Sequence, residues 1–182
     1  KEKGLVVDRR FNTGCNGQTH LIYIADYDWA ERNVACRFLA MNRTVTGISQ
    51  NEAEQAVKSY SASQKFPLSK NQQEACIRSL LTGVSIITGG PGTGKTTILK
   101  CLISSFQKLT GEPVTCMAPT GKAARRMTES TNYPASTIHS RLGLIAAEGV
   151  RFETHRIERG LVVVDEVSMV DTLLMNKLVE AL

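Results

Sequence analysis

The sequence of 182 residues contains no run of about 18 apolar residues, and its first stretch, KEKGLVVDRR, carries no apolar segment of signal-peptide length. The first lack argues against a membrane-spanning helix and the second against a secretory leader. A soluble, cytoplasmic protein with no membrane attachment is therefore expected. The five cysteines, Cys15, Cys36, Cys76, Cys101 and Cys116, include no C-x-x-C pair and are odd in number. That pattern suggests neither a zinc site nor a disulfide framework, and leaves them as buried or idle thiols. Internal repeats and low-complexity tracts are also missing.

What is present is ordinary globular composition, 42% hydrophobic, 21% charged and 5% aromatic, enough for one domain and a small additional module. The net charge of +5 is unevenly spread. Lys plus Arg against Asp plus Glu is 8 to 7 over residues 1–60, 9 to 3 over 61–130 and 5 to 7 thereafter. A basic middle third suits a polyanion such as a nucleotide or nucleic acid, although a solvated basic surface has the same composition.

Residues 4–26 read as two strands, GLVVDRR and THLIYIAD, joined by FNTGCNGQ, whose Asn and Gly residues suit a hairpin loop. DWAERNVACRFLAM follows with Ala30, Val34, Phe38 and Met41 at helical spacing. Ser49 and Glu52 form a capping-box pattern for a helix to about Ser61, and SASQKFP (61–67) reads as a linker. These features divide the chain into a small α+β module, 1–64, and a larger domain, 65–182. In the second, Ser69 and Gln72 repeat the capping pattern for a helix through about Leu81. VSIIT then reads as a buried strand, followed by glycines, a helix from about Gly94 to Leu109, and the strand VTCMA. Strand, helix, strand with a short return implies a βαβ unit and a parallel sheet, hence an α/β fold. PTGKAARRMTES and ASTIHSRLGLI are expected as helices, AAEGVRFETHRIERG as an irregular excursion or hairpin, LVVVDE as a third buried strand and DTLLMNKLVEAL as a final helix.

Within this frame, GGPGTGKTT supplies Gly89, Gly90, Pro91, Gly92, Thr93, Gly94, Lys95, Thr96 and Thr97, and satisfies G-x-x-x-x-G-K-S/T between a strand and a helix. Glycines allow several backbone N–H groups to converge on one anion, and the helix N-terminus adds partial positive charge. Lys95 would reach the β and γ phosphates and the Thr96 hydroxyl would coordinate Mg2+. A second Gly-Lys pair, in APTGKAARRM, fails the same pattern: Cys116 stands where a glycine is required and Ala123 where a hydroxyl must be. It instead gathers Lys122, Arg125 and Arg126 just after a strand, where α/β sheets bind ligands. With Thr120 and the helix N-terminus, these suit a nucleic-acid backbone, or else form a solvated helix face.

LVVVDE ends in Asp165 and Glu166, so a buried strand would deliver two carboxylates to the edge that holds the phosphate loop. Asp165 would hold Mg2+, directly or through water, and Glu166 would orient or deprotonate the attacking water. Gln72 has two readings, a helix cap and a reader of the two-sided adenine edge, and the two are compatible. His139 has no Cys or His at ligand spacing and reads as a surface or packing histidine.

Taken in order, LSKNQQEA, ITGGPGTGKTT, APTGKAARRM, TIHSRLG and VVVDEVSMVD resemble the N-terminal motor core of RecD-type helicases, the family of the exodeoxyribonuclease V alpha subunit, in the 5′-to-3′ branch of superfamily 1. The resemblance covers roughly Leu68 to Leu182. It implies a RecA-like P-loop NTPase domain, ATP and Mg2+ as cofactors, ATP hydrolysis, movement along single-stranded DNA, and other recombination and repair subunits as partners. It assigns Gln72 to adenine, residues 89–97 to phosphates and Mg2+, and Asp165 and Glu166 to metal and water. Pro119, Thr120, Gly121, Lys122, Arg125 and His139 would fall on the DNA-contacting side. Residues 4–64 are similar to the segment preceding the motor in free-standing RecD-like proteins, part of a winged-helix-like module.

By the same resemblance, the chain is expected to be a truncated motor without the second RecA-like domain or its arginine finger, a group that supplies about 10³ to 10⁵ in rate at phosphate-transfer sites. It should then bind nucleotide better than it hydrolyses it. Alternatives are the RecD-like motor of a conjugative relaxase, a small-molecule kinase or nucleotide-gated regulatory module, and a DNA-binding module without useful turnover.

Overall fold

The computed structural model describes residues 6–13, 17–43, 46–144, 155–157 and 159–182. The expected excursion at 146–160 falls mostly outside these, as does Cys15 in the hairpin loop. Strands β1 (Val6–Thr13) and β2 (Gly17–Ile24) pair antiparallel from Val6↔Ile24 to Thr13↔Gly17. Their period of two turns Arg9 and Tyr23 toward helix α1 (Ala25–Asn42), where the Asp28 carboxylate is buried. A buried carboxylate requires a partner. Asp28 has Arg9, which also lies 5.0 Å over the Tyr23 ring, and Arg32 at 3.4 Å.

Helices α2 (Gln50–Ser63) and α3 (Lys70–Leu81) begin with complete capping boxes, Ser49 with Glu52 and Ser69 with Gln72, as their spacing predicts. A side-chain cap of this kind contributes about 0.5–2 kcal/mol. Both pack with helix α4 (Lys95–Thr110) around Ala53, Val57, Leu68, Cys76, Leu80, Ile98, Cys101 and Leu102. In the stretch read as a linker, residues 62–67 are mostly exposed, while Ser61 is buried in the last turn of α2 and its Oγ accepts from the Leu68 N–H at 2.9 Å.

Gly111, left-handed at φ +69°, ends α4, and Glu112 and Pro113 return the chain to strand β3 (Val114–Ala118). So short a return obliges α4 to run antiparallel to β3. Leu99 and Ile103 of α4 thereby pack against Cys116 of β3, beside Met127 of helix α5 (Gly121–Thr131). Strand β4 (Ala135–Thr137) leads directly into the short helix α6 (Ile138–Arg141). Strand β5 (Leu161–Val164), a 3-10 turn at Val167–Met169 and helix α7 (Thr172–Ala181) complete the described chain. The sheet is parallel in the order β4-β3-β5, with Cys116 opposite both Ala135 and Val163.

Helices cover both faces, as a parallel sheet requires. α4 and α5 lie on one side. On the other, Ile138, Leu142, Leu174, Leu178 and Ala181 pack against Met117. α1 sits on α7, where Asn33 Nδ2 donates to Oδ1 of the buried Asn176 at 2.7 Å. Entry into β5 depends on Gly160: at φ +99°, an added Cβ would stand 2.0 Å from the Pro113 carbonyl oxygen, which already accepts from the Leu161 N–H at 3.0 Å.

Two sequence expectations are corrected. VSIIT does not join the sheet: residues 84–90 have no ladder partner, and of the five in VSIIT only Val84 and Ile87 are partly covered. Ile87 packs on the α2–α4 core while Ile86 is 86% exposed. ASTIHSRLGLI is not one helix. Its first three residues pair with β3, and Thr137 Oγ1 accepts from the Ser140 N–H at 3.1 Å, so the helix starts only at Ile138. Among the described residues no helix is long and apolar enough to cross a membrane.

Candidate nucleotide and nucleic-acid site

Because β3, β4 and β5 are parallel, the segments that follow them emerge at one edge of the sheet: Pro119 to Lys122 after β3, Ile138 and His139 after β4, Asp165 and Glu166 after β5. The Asp165 N–H extends the ladder by donating to the Met117 carbonyl at 3.0 Å. The antiparallel course of α4 brings its N-terminus, and the loop of Gly89 to Gly94, to that same edge.

The loop is shaped to leave backbone donors open. α2, α3, α5 and α7 are capped by the side chains of Ser49, Ser69, Thr120 and Asp171, whereas α4 starts at Gly94, which caps nothing. Gly94 is left-handed at φ +86°, a conformation costly for other residues. The first-turn N–H groups of α4 therefore face outward at the positive end of a 16-residue helix, an arrangement suited to phosphate. Lys95 Nζ bends back over the loop and donates to the carbonyls of Gly89 at 2.5 Å and Gly90 at 3.1 Å. Thr93 Oγ1 donates to Gly90 O at 2.9 Å, and Thr96 is exposed. Gln72 reaches this loop from α3: its Oε1 accepts from the Ser69 N–H at 2.9 Å and its Nε2 donates to the Thr93 carbonyl at 3.0 Å.

Asp165 is half-buried, and its Oδ1 accepts from the Glu166 N–H at 2.9 Å. Glu166 is exposed and left-handed at φ +54°, ψ +39°, and its carbonyl accepts from Met169 N–H at 3.0 Å to start the 3-10 turn. A non-glycine residue in this region carries backbone strain, a feature common where a side chain must be aimed. The Thr96 hydroxyl and the Asp165 carboxylate are hard oxygen donors, the chemistry that suits Mg2+, so the residues at this edge fit the ion.

Lys122, Arg125 and Arg126 are all exposed on α5. Thr120 Oγ1 caps that helix by accepting from the Ala123 N–H at 3.2 Å, which leaves its own hydroxyl proton free to donate outward. Beside them an open cleft of about 770 Å3 runs between α5 and the β4–α6 turn, lined by Gly121, Arg125, Thr128, Ser136, Thr137 and Ser140. Reading ASTIHS as helix hid the turn that brings Ser136 and Ser140 to this cleft, and Thr128 Oγ1 is already engaged, donating to Ala124 O at 3.1 Å and accepting from the Ala135 N–H at 2.9 Å. His139 lies exposed on α6.

The buried thiols lie away from this edge. Burial pushes Cys116 up to about 11, and the contact with Cys101, together with burial, raises Cys76 well above the ordinary range.

The model of the AAA domain family matches residues 72–182. The chain is 38% identical over 135 residues to the RecBCD enzyme subunit RecD of Mycobacterium tuberculosis, covering 60% of this chain and 23% of the relative. It is 40% identical over 116 residues to the ATP-dependent RecD2 DNA helicase of Deinococcus radiodurans, 61% of this chain and 16% of that one. To the ATP-dependent DNA helicase PIF1 of Candida albicans it is 33% identical over 143 residues, 71% of this chain and 15% of the relative. The chain thus spans about a quarter or less of the length of these curated relatives. Matched over more than half its length, the chain belongs to the AAA domain family and is similar in that region to RecD-type helicases.

Proposed function

We propose that this chain forms the ATP-binding part of a RecD-type DNA helicase motor that moves 5′ to 3′ along single-stranded DNA. The reading is supported by the uncapped, glycine-shaped N-terminus of α4, together with an acidic pair and a basic helix start that follow the parallel strands β5 and β3. The names of the relatives, all RecD or DNA helicase, support it.

In this reading the N–H groups of α4 and the loop hold the phosphates, and Lys95 transfers its donors from the Gly89 and Gly90 carbonyls to the β and γ phosphate oxygens. Thr96 and Asp165 would hold Mg2+, which would supply positive charge to offset that of the phosphates. Glu166 orients the attacking water and takes its proton, its carboxylate aimed by the left-handed backbone. Lys122 and Arg125, with the Thr120 hydroxyl, hold the strand backbone, and the adjoining cleft takes sugar and phosphate without reading bases. His139 borders the same track. Residues 1–64, a small α+β module similar to part of a winged-helix-like one, precede the motor domain of 65–182, and other recombination and repair subunits are partners.

The test is ATP turnover by the full-length protein with and without single-stranded DNA. A motor is stimulated by the strand; a small-molecule kinase or a nucleotide-gated regulator is indifferent to it. Measurable ATP binding with turnover unmoved by DNA would remove the motor reading.

A further inference from the structure

We propose that Gln72 is a positioning residue for the phosphate loop, and that its amide joins the seat of the base to the seat of the phosphates. The inference rests on the nucleotide-site reading above and adds to it a second duty for a residue that family resemblance assigns to adenine alone.

The geometry is specific. Gln72 sits at the third position of α3, where its backbone N–H donates to Ser69 Oγ at 3.3 Å and its Oε1 accepts from the Ser69 N–H at 2.9 Å. The cap fixes the near end of the side chain and its oxygen. The amide nitrogen then points across to the phosphate loop and donates to the Thr93 carbonyl at 3.0 Å. Thr93 immediately precedes Gly94, the left-handed residue that opens α4, and an added Cβ on Gly94 would lie 2.5 Å from that same Gln72 nitrogen. Gln72 therefore fills the space that the absent glycine side chain leaves, and it fixes the carbonyl of the peptide whose N–H belongs to Gly94. Turning that peptide would re-aim a donor of the phosphate seat.

The amide is not exhausted by these bonds. A primary amide offers two N–H donors and an oxygen with two acceptor positions. Ser69 takes one acceptor position and Thr93 one donor, so one donor and one acceptor remain, the pair needed for the N7 and N6 edge of adenine. A base held by that pair immobilises the amide that in turn holds Thr93. Base and phosphates are then coupled through a single side chain, and the loop's affinity for phosphate depends on Gln72 even when no base is present.

That last consequence separates positioning from base reading. Binding of Mg-ATP and of Mg-tripolyphosphate, which has no base, is measured by calorimetry on the 182-residue protein and on Gln72→Ala, Gln72→Glu and Ser69→Ala, with thermal melts to verify folding. Loss of one hydrogen bond that orients the loop should weaken tripolyphosphate about two- to tenfold in Gln72→Ala. Gln72→Glu keeps an oxygen for the Ser69 N–H but cannot donate to Thr93, and should lose at least as much. Ser69→Ala weakens the cap, leaves the amide on Thr93, and should bind tripolyphosphate as the unmodified protein does. If Gln72→Ala weakens ATP but binds tripolyphosphate unchanged, Gln72 only reads the base and the inference is overturned while the nucleotide site stands. If Ser69→Ala reproduces the loss, Gln72 is merely a helix cap and the inference is likewise overturned. Absence of ATP binding by the unmodified protein would instead overturn the nucleotide-site reading itself.

Discussion

Glu166 holds its carboxylate by a backbone conformation that most residues avoid, and the cost of that conformation is measurable. A left-handed non-glycine residue is unfavourable by about 1–2 kcal/mol. Glu166→Gly removes this strain, but gives the unfolded chain freedom worth about 0.4–1 kcal/mol. The side chain is exposed and carries no hydrogen bond among the described residues, so its deletion sacrifices no packing. The balance is a protein more stable by about 0.5–1 kcal/mol, or about 1–4 °C in melting temperature at this chain length. Glu166→Gln keeps both the strain and the side-chain volume and should melt where the unmodified protein does. Both variants should bind ATP, and both should lose DNA-stimulated hydrolysis. A differential scanning measurement on the three proteins decides the matter. If Glu166→Gly melts several degrees below the unmodified protein, the left-handed backbone is not a stored cost, and aiming of the carboxylate by strain is refuted.

Lys95→Ala removes the only ammonium donating to the loop carbonyls among the described hydrogen bonds, and should weaken ATP by about tenfold or more, the range of a charge-assisted bond, in an equilibrium titration. Replacing Lys122 and Arg125 together by Ala should weaken single-strand binding whatever the base sequence, and reduce the slope of log affinity against log salt by about 1.4. An unchanged slope would leave these side chains as a solvated face. Gly160→Ala forces a Cβ against the Pro113 carbonyl at φ +99° and breaks the hydrogen bond into β5, so a loss of about 2–3 kcal/mol and a fall of about 5–10 °C in melting temperature are expected.

Features governed by neighbours in sequence were legible before any coordinates. The capping boxes at Ser49 and Ser69 placed the starts of α2 and α3, and the glycines at 94 and 111 bracketed α4, because helix ends are decided by side chains within three or four residues. The parallel sheet was expected from VSIIT, α4 and VTCMA as one βαβ unit, whereas the pairs observed are β3 with β4 and β3 with β5. Pairing decided by distant partners was not legible. VSIIT has the composition of a buried strand, yet its place depends on which ladder edge is offered to it, and Ile86 remains in solvent. Ala135–Thr137 has helix-tolerant residues and became an edge strand because β3 offered its free side.

Gln72 shows the same division within one side chain. Spacing to Ser69 predicted its cap, since both groups lie in one helical turn. Its bond to Thr93 spans 21 residues and passes through no local pattern, so spacing left base reader and cap as alternatives and had no means to suggest loop anchor. The donor on Nε2 is directed because the acceptor on Oε1 is already fixed by Ser69. The local cap thus does more than end a helix: by fixing one end of a planar amide it determines where the other end must point, and a short-range signal becomes the frame for a long-range contact.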